Sequence, residues 1–214
     1  MAVPDLAGTA QNGDNRTTTG RLKMLAVLLV CAAPVITSYL MYFVFKPESR
    51  SNYGTLITPS RSLPAELRLQ QLDGKAVPAP TLRGQWLLVA VGPAACAGAC
   101  EKRLYAQRQL REMLGRERER LDKVWLITDA DPLPTPLTEV LRAGPALTAL
   151  RTDRAALERW ISPAPGQQIE DHLYLVDPMG EWMMRFPANM EPARVKRDLD
   201  RVLRASASWD LAGR

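Results

Sequence analysis

Two thiols and one imidazole are the side chains of this chain best suited to chemistry. Cys96 and Cys100 stand four residues apart directly after an apolar run, and His172, the only histidine, opens another apolar run far downstream. Residues four apart share one face of a helix, so one helical turn could present both sulfurs to the same partner. At the start of a helix, the dipole and the free N–H groups favour thiolate over thiol. These residues predict a soft-metal site or a redox pair.

Each of these residues also has a purely structural interpretation. Free cysteines are among the most commonly buried small side chains, and a histidine in an apolar strand is more often a hydrogen-bonded core residue than a ligand. His172 therefore joins the two thiols only if the fold brings it close. Cys31 lies inside an apolar segment, and we expect no chemistry from it.

The donor set narrows the metals that the site could bind. Thiolates select Cu(I), zinc or iron–sulfur clusters, and imidazole suits copper and zinc, so two sulfurs and one nitrogen point to an open copper site. Zinc would need a fourth ligand, which would be water or a carboxylate such as Asp171 or Asp131. Iron–sulfur clusters usually need four thiolates. In an oxidising compartment the same pair is a disulfide, a metal site or a redox couple.

The segment Met24 to Phe45 contains no charged residue and is long enough to cross a bilayer as a helix. It is also longer than the apolar part of a cleaved signal peptide, so we expect a retained anchor. Arg16, Arg21 and Lys23 precede it, which places the N-terminus in the cytoplasm by the positive-inside rule. The prediction is a single-pass protein of the bacterial inner membrane with a periplasmic C-terminal domain.

The outer part alternates apolar strand-like runs with amphipathic helical segments. This pattern favours a central sheet covered by helices on both faces, and its order predicts an α/β fold, a thioredoxin-like sandwich, preceded by a single N-terminal transmembrane helix. The expected strands include a hairpin around Asp73-Gly74 and the runs 86–91, 124–127, 147–150, 172–176 and 181–186. The expected helices are 101–121, 136–142, 153–160 and one that begins near Glu191-Pro192.

These elements divide the chain into five parts. The predicted parts are a disordered cytoplasmic tail 1–23, a transmembrane helix 24–45, a linker 46–66, a thioredoxin-like domain 67–206 and a C-terminal tail 207–214. The formal net charge of +5 does not indicate nucleic-acid binding, because the arginines of 101–121 alternate with glutamates, as on a solvated helix face. We expect membrane and protein partners, and no nucleic acid.

From about Leu67 to Leu203 the chain resembles the Sco/SenC family. The resemblance is carried by the Cys-x-x-x-Cys of Cys96 and Cys100 and by the motifs at 72–75, 82–89, 126–132 and 171–181. Members of this family are membrane-anchored, thioredoxin-like proteins that assemble the copper centre of cytochrome c oxidase. The resemblance implies that Cys96, Cys100 and His172 correspond to the copper ligands, flanked by Asp171, and that the partner is the copper-site subunit of the oxidase.

Two other functions remain open at this point. The first is a thiol–disulfide oxidoreductase in which Cys96 attacks and Cys100 resolves, keeping the cysteines of a client protein reduced, because the same fold and motif serve both chemistries. The second is a non-catalytic assembly protein whose outer domain only docks on an oxidase subunit. We expect the position of His172 relative to the two sulfurs to discriminate copper delivery from thiol exchange.

Overall fold

The computed structural model describes residues 13–43, 52–143 and 147–209, and the chain divides into two compact units, 1–50 and 51–214. In the first unit, one helix (α1, Gly13–Phe43) contains residues 24–43 of the expected apolar segment. An 18-residue window within Gly20–Phe43 has a mean hydropathy of 2.2, and none of that window is buried. Length and composition therefore make α1 a helix that could cross a membrane.

The helix α1 begins earlier than expected. Residues 13–23 continue the same helix, although the sequence predicted a disordered tail for 1–23. The remaining tail, 1–12, lies outside the described residues, as do residues 44 and 45 at the far end of the predicted span. The polar start of α1 was missed because Thr, Asn and Gly in this segment are weak helix formers.

In the second unit, the described strands form one mixed sheet in the order β1-β8-β7-β4-β5-β6-β2-β3. Strands β4, β5 and β6 run parallel, and the other neighbours are antiparallel. The bounds are β1 Thr55–Ser62, β2 Arg68–Gln70, β3 Ala76–Pro78, β4 Trp86–Gly92, β5 Leu121–Ile127, β6 Thr148–Thr152, β7 Leu173–Val176 and β8 Glu181–Phe186.

Helices cover both faces of this sheet, as the sequence predicted. The bounds are α2 Ala99–Met113, α3 Thr135–Ala143, α4 Arg154–Trp160 and α5 Pro192–Ala205. Along β4, alternate residues enter different cores: Leu88 and Ala90 pack with the side chains of α2 and α5, whereas Val89 and Val91 pack with those of α4. All seven residues of β4 are buried, which explains its uninterrupted apolar sequence.

The strand β1 lies in the segment predicted to be a linker. It pairs with β8 at the edge of the sheet, and six of its eight residues are exposed. Because one side of an edge strand faces solvent, it tolerates Pro59 and polar side chains that hide the usual apolar alternation. The folded unit therefore begins before residue 67, and residues 46–51 of the predicted linker lie outside the described residues.

The predicted helix 101–121 is divided in two. The helix α2 ends at Met113, and Gly115, with φ of +59°, begins a 3-10 helix over Gly115–Arg120. A glycine in this left-handed conformation commonly ends a helix. At the other terminus, the predicted tail 207–214 contains Trp209, whose ring stacks on Trp86 at 6.2 Å, and residues 210–214 lie outside the described residues.

Candidate functional site

The two cysteines lie where β4 ends and α2 begins. The loop from Pro93 to Gly98 turns twice, with the Cys96 N–H donating to the Pro93 carbonyl at 3.1 Å and the Cys100 N–H donating to the Ala97 carbonyl at 3.3 Å. Because α2 begins at Ala99, Cys100 occupies its first turn and Cys96 precedes the helix. The expectation that one helical turn carries both sulfurs is therefore wrong for Cys96.

Cys96 and Cys100 form a disulfide, with their Cα atoms 5.0 Å apart. Cys96 has φ of +32°, a left-handed conformation that is uncommon for a residue with a side chain. This conformation bends the loop back so that the two sulfurs meet although one of them lies outside the helix. Both side chains are nearly buried, with 6% of Cys96 and 8% of Cys100 exposed.

The sulfur of Cys100 packs directly on the backbone of β4. A Cβ atom added to Gly92 would lie 2.8 Å from Cys100 Sγ and 3.5 Å from Trp125 Nε1. The indole N–H of Trp125 is buried and has no hydrogen-bond partner among the described residues. A buried donor of this kind costs stability, and beside a sulfur it can stabilise a thiolate. Sequence reasoning missed both Gly92 and Trp125 because they look like ordinary strand residues.

Asp129 fixes the cysteine loop to the next strand. The Ala94 N–H donates to both carboxylate oxygens of Asp129 at 3.1 Å. Arg151 in turn donates to the backbone carbonyls of Asp129 and Asp131 at 2.7 Å each. Because β4 and β5 are parallel neighbours, the segments that follow them meet at one edge of the sheet. An acidic residue just after β5 is the sequence signal for this positioning residue.

His172 is buried, and both of its ring nitrogens are hydrogen-bonded to the backbone. Nδ1 lies 2.8 Å from the Phe186 carbonyl oxygen, and Nε2 accepts from the Ala164 N–H at 3.2 Å. These partners define a neutral ring that carries its proton on Nδ1. Only 1% of the residue is exposed, and burial lowers its pKa, with the Phe186 hydrogen bond opposing the shift.

The ring of His172 packs edge-on against that of Tyr174, at 6.0 Å between ring centroids. Tyr174 belongs to the core beneath α4, whereas Cys96 and Cys100 belong to the core beneath α2 and α5. Among the described residues, no three or more His, Cys, Asp or Glu side chains are grouped so that they could hold a metal ion. The structure thus joins the two sulfurs, while backbone groups occupy both ring nitrogens of His172, and its role as a third ligand stays a prediction.

The two carboxylates considered as further ligands have other contacts. Asp171 accepts from the Gln168 N–H at 2.8 Å and thereby caps a short 3-10 helix, Ile169–Asp171. The side chain of Asp131 is exposed, and its backbone carbonyl accepts a hydrogen bond from Arg151. The site is accordingly a nearly buried cysteine pair next to an indole donor. Such a pair can alternate between a disulfide and two thiols.

A disulfide between β4 and α2, in a mixed sheet with helices on both faces, defines a protein of the thioredoxin-like class. The chain belongs to the family described as "transmembrane-like, thioredoxin-like, C-terminal domain", whose model matches residues 86–206. No curated protein matches the sequence significantly.

The resemblance to Sco/SenC proteins is confirmed at the level of the fold. Copper-bound yeast Sco1 is 18% identical, with a TM-score of 0.54 over 73% of this chain and 99% of that chain. Copper-bound ScoI from Arabidopsis thaliana is 16% identical, with a TM-score of 0.52 over 72% and 99%. BsSco, described as having a disulfide switch and as a member of the Sco family of cytochrome c oxidase assembly proteins, is 16% identical, with a TM-score of 0.50 over 72% and 99%.

Proposed function

We propose that this chain is a membrane-anchored assembly factor of the Sco type that matures the copper site of a cytochrome c oxidase by thiol–disulfide exchange. The observation that carries the proposal is the Cys96–Cys100 disulfide at the start of α2. The hydrogen bonds of His172 favour thiol exchange over the three-ligand copper site, since neither ring nitrogen offers a free lone pair in this conformation.

The exchange reaction balances with two electrons. The dithiol form of the pair reduces a disulfide of the client: one thiolate of the pair attacks the client disulfide, and one client thiolate leaves. The second thiolate of the pair then displaces the other client sulfur, so that the pair becomes a disulfide and the client carries two thiols. An external dithiol reductase of the same compartment returns the pair to the dithiol form.

Copper delivery is a second candidate, and the close approach of two soft sulfur donors supports it. In the dithiol form, Cys96 and Cys100 are a suitable ligand pair for Cu(I), which is cargo in this scheme. The copper-bound Sco proteins of similar fold add support for the metal. His172 would join as the third ligand only after giving up the Ala164 N–H, which now occupies Nε2.

We propose the predicted membrane orientation together with this function. The helix α1 anchors the protein in the bacterial inner membrane, with Arg21 and Lys23 on the cytoplasmic side and the thioredoxin-like unit in the periplasm. A reporter enzyme that is active only outside the cytoplasm, fused after Arg214, should be active. If only a cytoplasmic reporter is active at that position, the orientation is the reverse, and the two cysteines do not lie in an oxidising compartment.

The test of the function uses cells in which the native copy is replaced by variants of the full chain. Cys96→Ser should abolish assembly of active oxidase under both candidates. His172→Gln, which retains a donor and an acceptor, and His172→Ala should leave most of the copper in the oxidase if thiol exchange is the function. Loss of oxidase copper in both histidine variants, with normal amounts of folded protein, would instead establish delivery and overturn thiol exchange.

A further inference from the structure

An open groove of about 630 Å³ lies beside the cysteine loop, between α2 and α3. At one end it is bordered by Ala95, Cys96 and Ala97. Cys100, by contrast, packs its sulfur on Gly92 in β4. The groove therefore leads to one sulfur of the pair, and Cys96 is the sulfur that a molecule lying in the groove would meet.

The floor of the groove is apolar and partly exposed. It includes Leu104 from α2, Leu137 and Leu141 from α3, and Leu147 before β6, each of which is half-buried. Grouped apolar side chains that remain open to solvent are typical of interaction sites. Burial of apolar side chains of a partner in this groove would supply most of its affinity.

The rim of the groove is mainly basic. Lys102 and Arg108 are exposed on α2, Lys123 reaches the groove from β5, and Glu101 is the acidic residue on the same border. Burial lowers the pKa of Lys123, and the neighbouring charges of Arg111 and Arg108 lower it further. A carboxylate brought into the groove would meet the exposed cations Lys102 and Arg108, so the charges of the rim favour an acidic partner.

Gln107 adds a hydrogen-bond acceptor to the groove wall. Its Nε2 donates to the Leu88 carbonyl at 2.6 Å and to the Val124 carbonyl at 2.9 Å, which fixes the amide plane. The other amide atom, Oε1, is buried and has no partner among the described residues.

We propose that this groove binds an extended segment of the client protein that carries a cysteine, with apolar residues next to that cysteine and acidic side chains beyond them. The proposal rests on the proposed thiol exchange and specifies its substrate. The segment places its sulfur at Cys96, whose thiolate attacks the client disulfide and forms a mixed disulfide while one client thiolate leaves. Cys100 then attacks Cys96, restores the Cys96–Cys100 disulfide and releases the second client thiol.

The test uses the full chain in detergent micelles, with Cys31→Ala as background and Cys100→Ser to trap the mixed disulfide. The probes are three synthetic peptides in disulfide linkage to the same small thiol: Asp-Asp-Leu-Leu-Cys, Lys-Lys-Leu-Leu-Cys and Asp-Asp-Ser-Ser-Cys. The rate of trapping on Cys96 should be about five- to tenfold higher for the acidic apolar peptide than for either other peptide, the scale expected for a few surface charges.

Charge reversal at the rim provides the decisive comparison. Lys102→Glu with Arg108→Glu should abolish or invert the preference for the acidic over the basic peptide. Arg197→Glu with Arg204→Glu, two exposed residues of α5, should leave it unchanged. Because the same three peptides are tested against each protein variant, differences in the intrinsic reactivity of the peptides cancel.

Glutathione disulfide separates failure of this proposal from failure of the proposed function. If the reduced protein exchanges with glutathione disulfide but shows no peptide preference, or if the rim variants keep that preference, the groove is not the client site and thiol exchange remains. If Cys96 does not exchange with glutathione disulfide or with any of the peptides, the proposed function fails, and the groove assignment fails with it.

Discussion

Gly92 and Cys100 are packed so closely that residue 92 has no room for a side chain. A Cβ atom at this position would lie 2.8 Å from Cys100 Sγ, below the range of real Cβ contacts. Gly92 is the last residue of the central strand β4 and pairs with Ile127 of β5, so its backbone cannot move away easily. The disulfide with Cys96 prevents the sulfur from rotating away. The strain of any added side chain therefore falls on the oxidised form.

We expect Gly92→Ala to make the disulfide easier to reduce. Overpacking in a core costs about 1 to 3 kcal/mol. If the free thiol of Cys100 can rotate away, this cost disappears on reduction, and the midpoint potential of the pair rises by about 20 to 60 mV. Equilibration of the full-length protein with glutathione buffers measures the potential.

The control for this substitution is Gly20→Ala in α1, where no atom lies within 4 Å of the added Cβ. It should leave the potential unchanged. A second measurement compares thermal unfolding of the oxidised and reduced forms, and Gly92→Ala should lower the Tm of the oxidised form more. Equal destabilisation of both forms with an unchanged potential would contradict the assignment of the strain to the disulfide.

Trp125→Phe should have the opposite effect on the potential. In the disulfide form, the indole N–H of Trp125 has no hydrogen-bond partner among the described residues. Like Cys100 Sγ, it borders the space beside Gly92. After reduction this donor can stabilise the Cys100 thiolate, so its removal should raise the thiol pKa and lower the midpoint potential. The ultraviolet absorbance of the thiolate as a function of pH measures the pKa.

Trp182→Phe is the matched control for this experiment. Trp182 is equally buried, but its Nε1 donates to the Met184 carbonyl and its ring packs in the other core, against Tyr174. It should lower stability and leave the thiol pKa in place. If both tryptophan variants change that pKa equally, the effect is general loosening of the core and not loss of the Trp125 donor.

The sequence predicted the centre of the fold well because the centre is fully buried. Strands buried on both faces must be apolar throughout, so β4 and β5 stand out as uninterrupted runs. The Asp73-Gly74 turn predicted the hairpin of β2 and β3 correctly, because few residues suit such a turn. The edge strand β1 has no comparable signal, since most of its residues face solvent and one of them is Pro59.

The site was harder to predict than the fold. Spacing in the sequence brings Cys96 and Cys100 together, but the conformation that joins them depends on the left-handed backbone of Cys96 before the helix begins. The ring of His172 is held by the Ala164 N–H and the Phe186 carbonyl, which belong to other segments of the chain. The spacing of apolar residues carries no signal for such backbone partners, so the sequence did not predict them.

Asp129→Ala should loosen the cysteine loop. The carboxylate of Asp129 accepts the Ala94 N–H two residues before Cys96, and its loss leaves that backbone donor unpaired. We expect a loss of about 1 to 3 kcal/mol in stability and faster reduction of the disulfide by dithiothreitol. Asp131→Ala is the control, because Asp131 binds Arg151 through its backbone carbonyl. Equal reduction rates in the two variants would remove Asp129 from its positioning role.

The stability of the folded unit should depend on pH through His172. Burial lowers the pKa of His172 below its ordinary value of 6.5, with the charges of Arg185 and Arg103 acting in the same direction. Below about pH 6.5 the unfolded chain therefore binds a proton that the folded chain refuses. The free energy of unfolding should be fully retained above this pH and should fall as the pH decreases toward the lower pKa of the folded form.

Urea unfolding of the full-length protein between pH 7.5 and 5 measures this dependence, with His172→Gln as the matched variant. Asp177 contributes with the opposite sign at lower pH, because burial raises the pKa of its carboxyl above 3.8 and the folded form then binds the extra proton. The difference between the two proteins isolates His172, because Asp177 is common to both. The wild-type protein should lose stability between pH 6.5 and 5 more steeply than His172→Gln. Parallel profiles would mean that His172 is protonated as readily in the folded protein as in the unfolded chain, and its ring would then not be held neutral between Ala164 and Phe186.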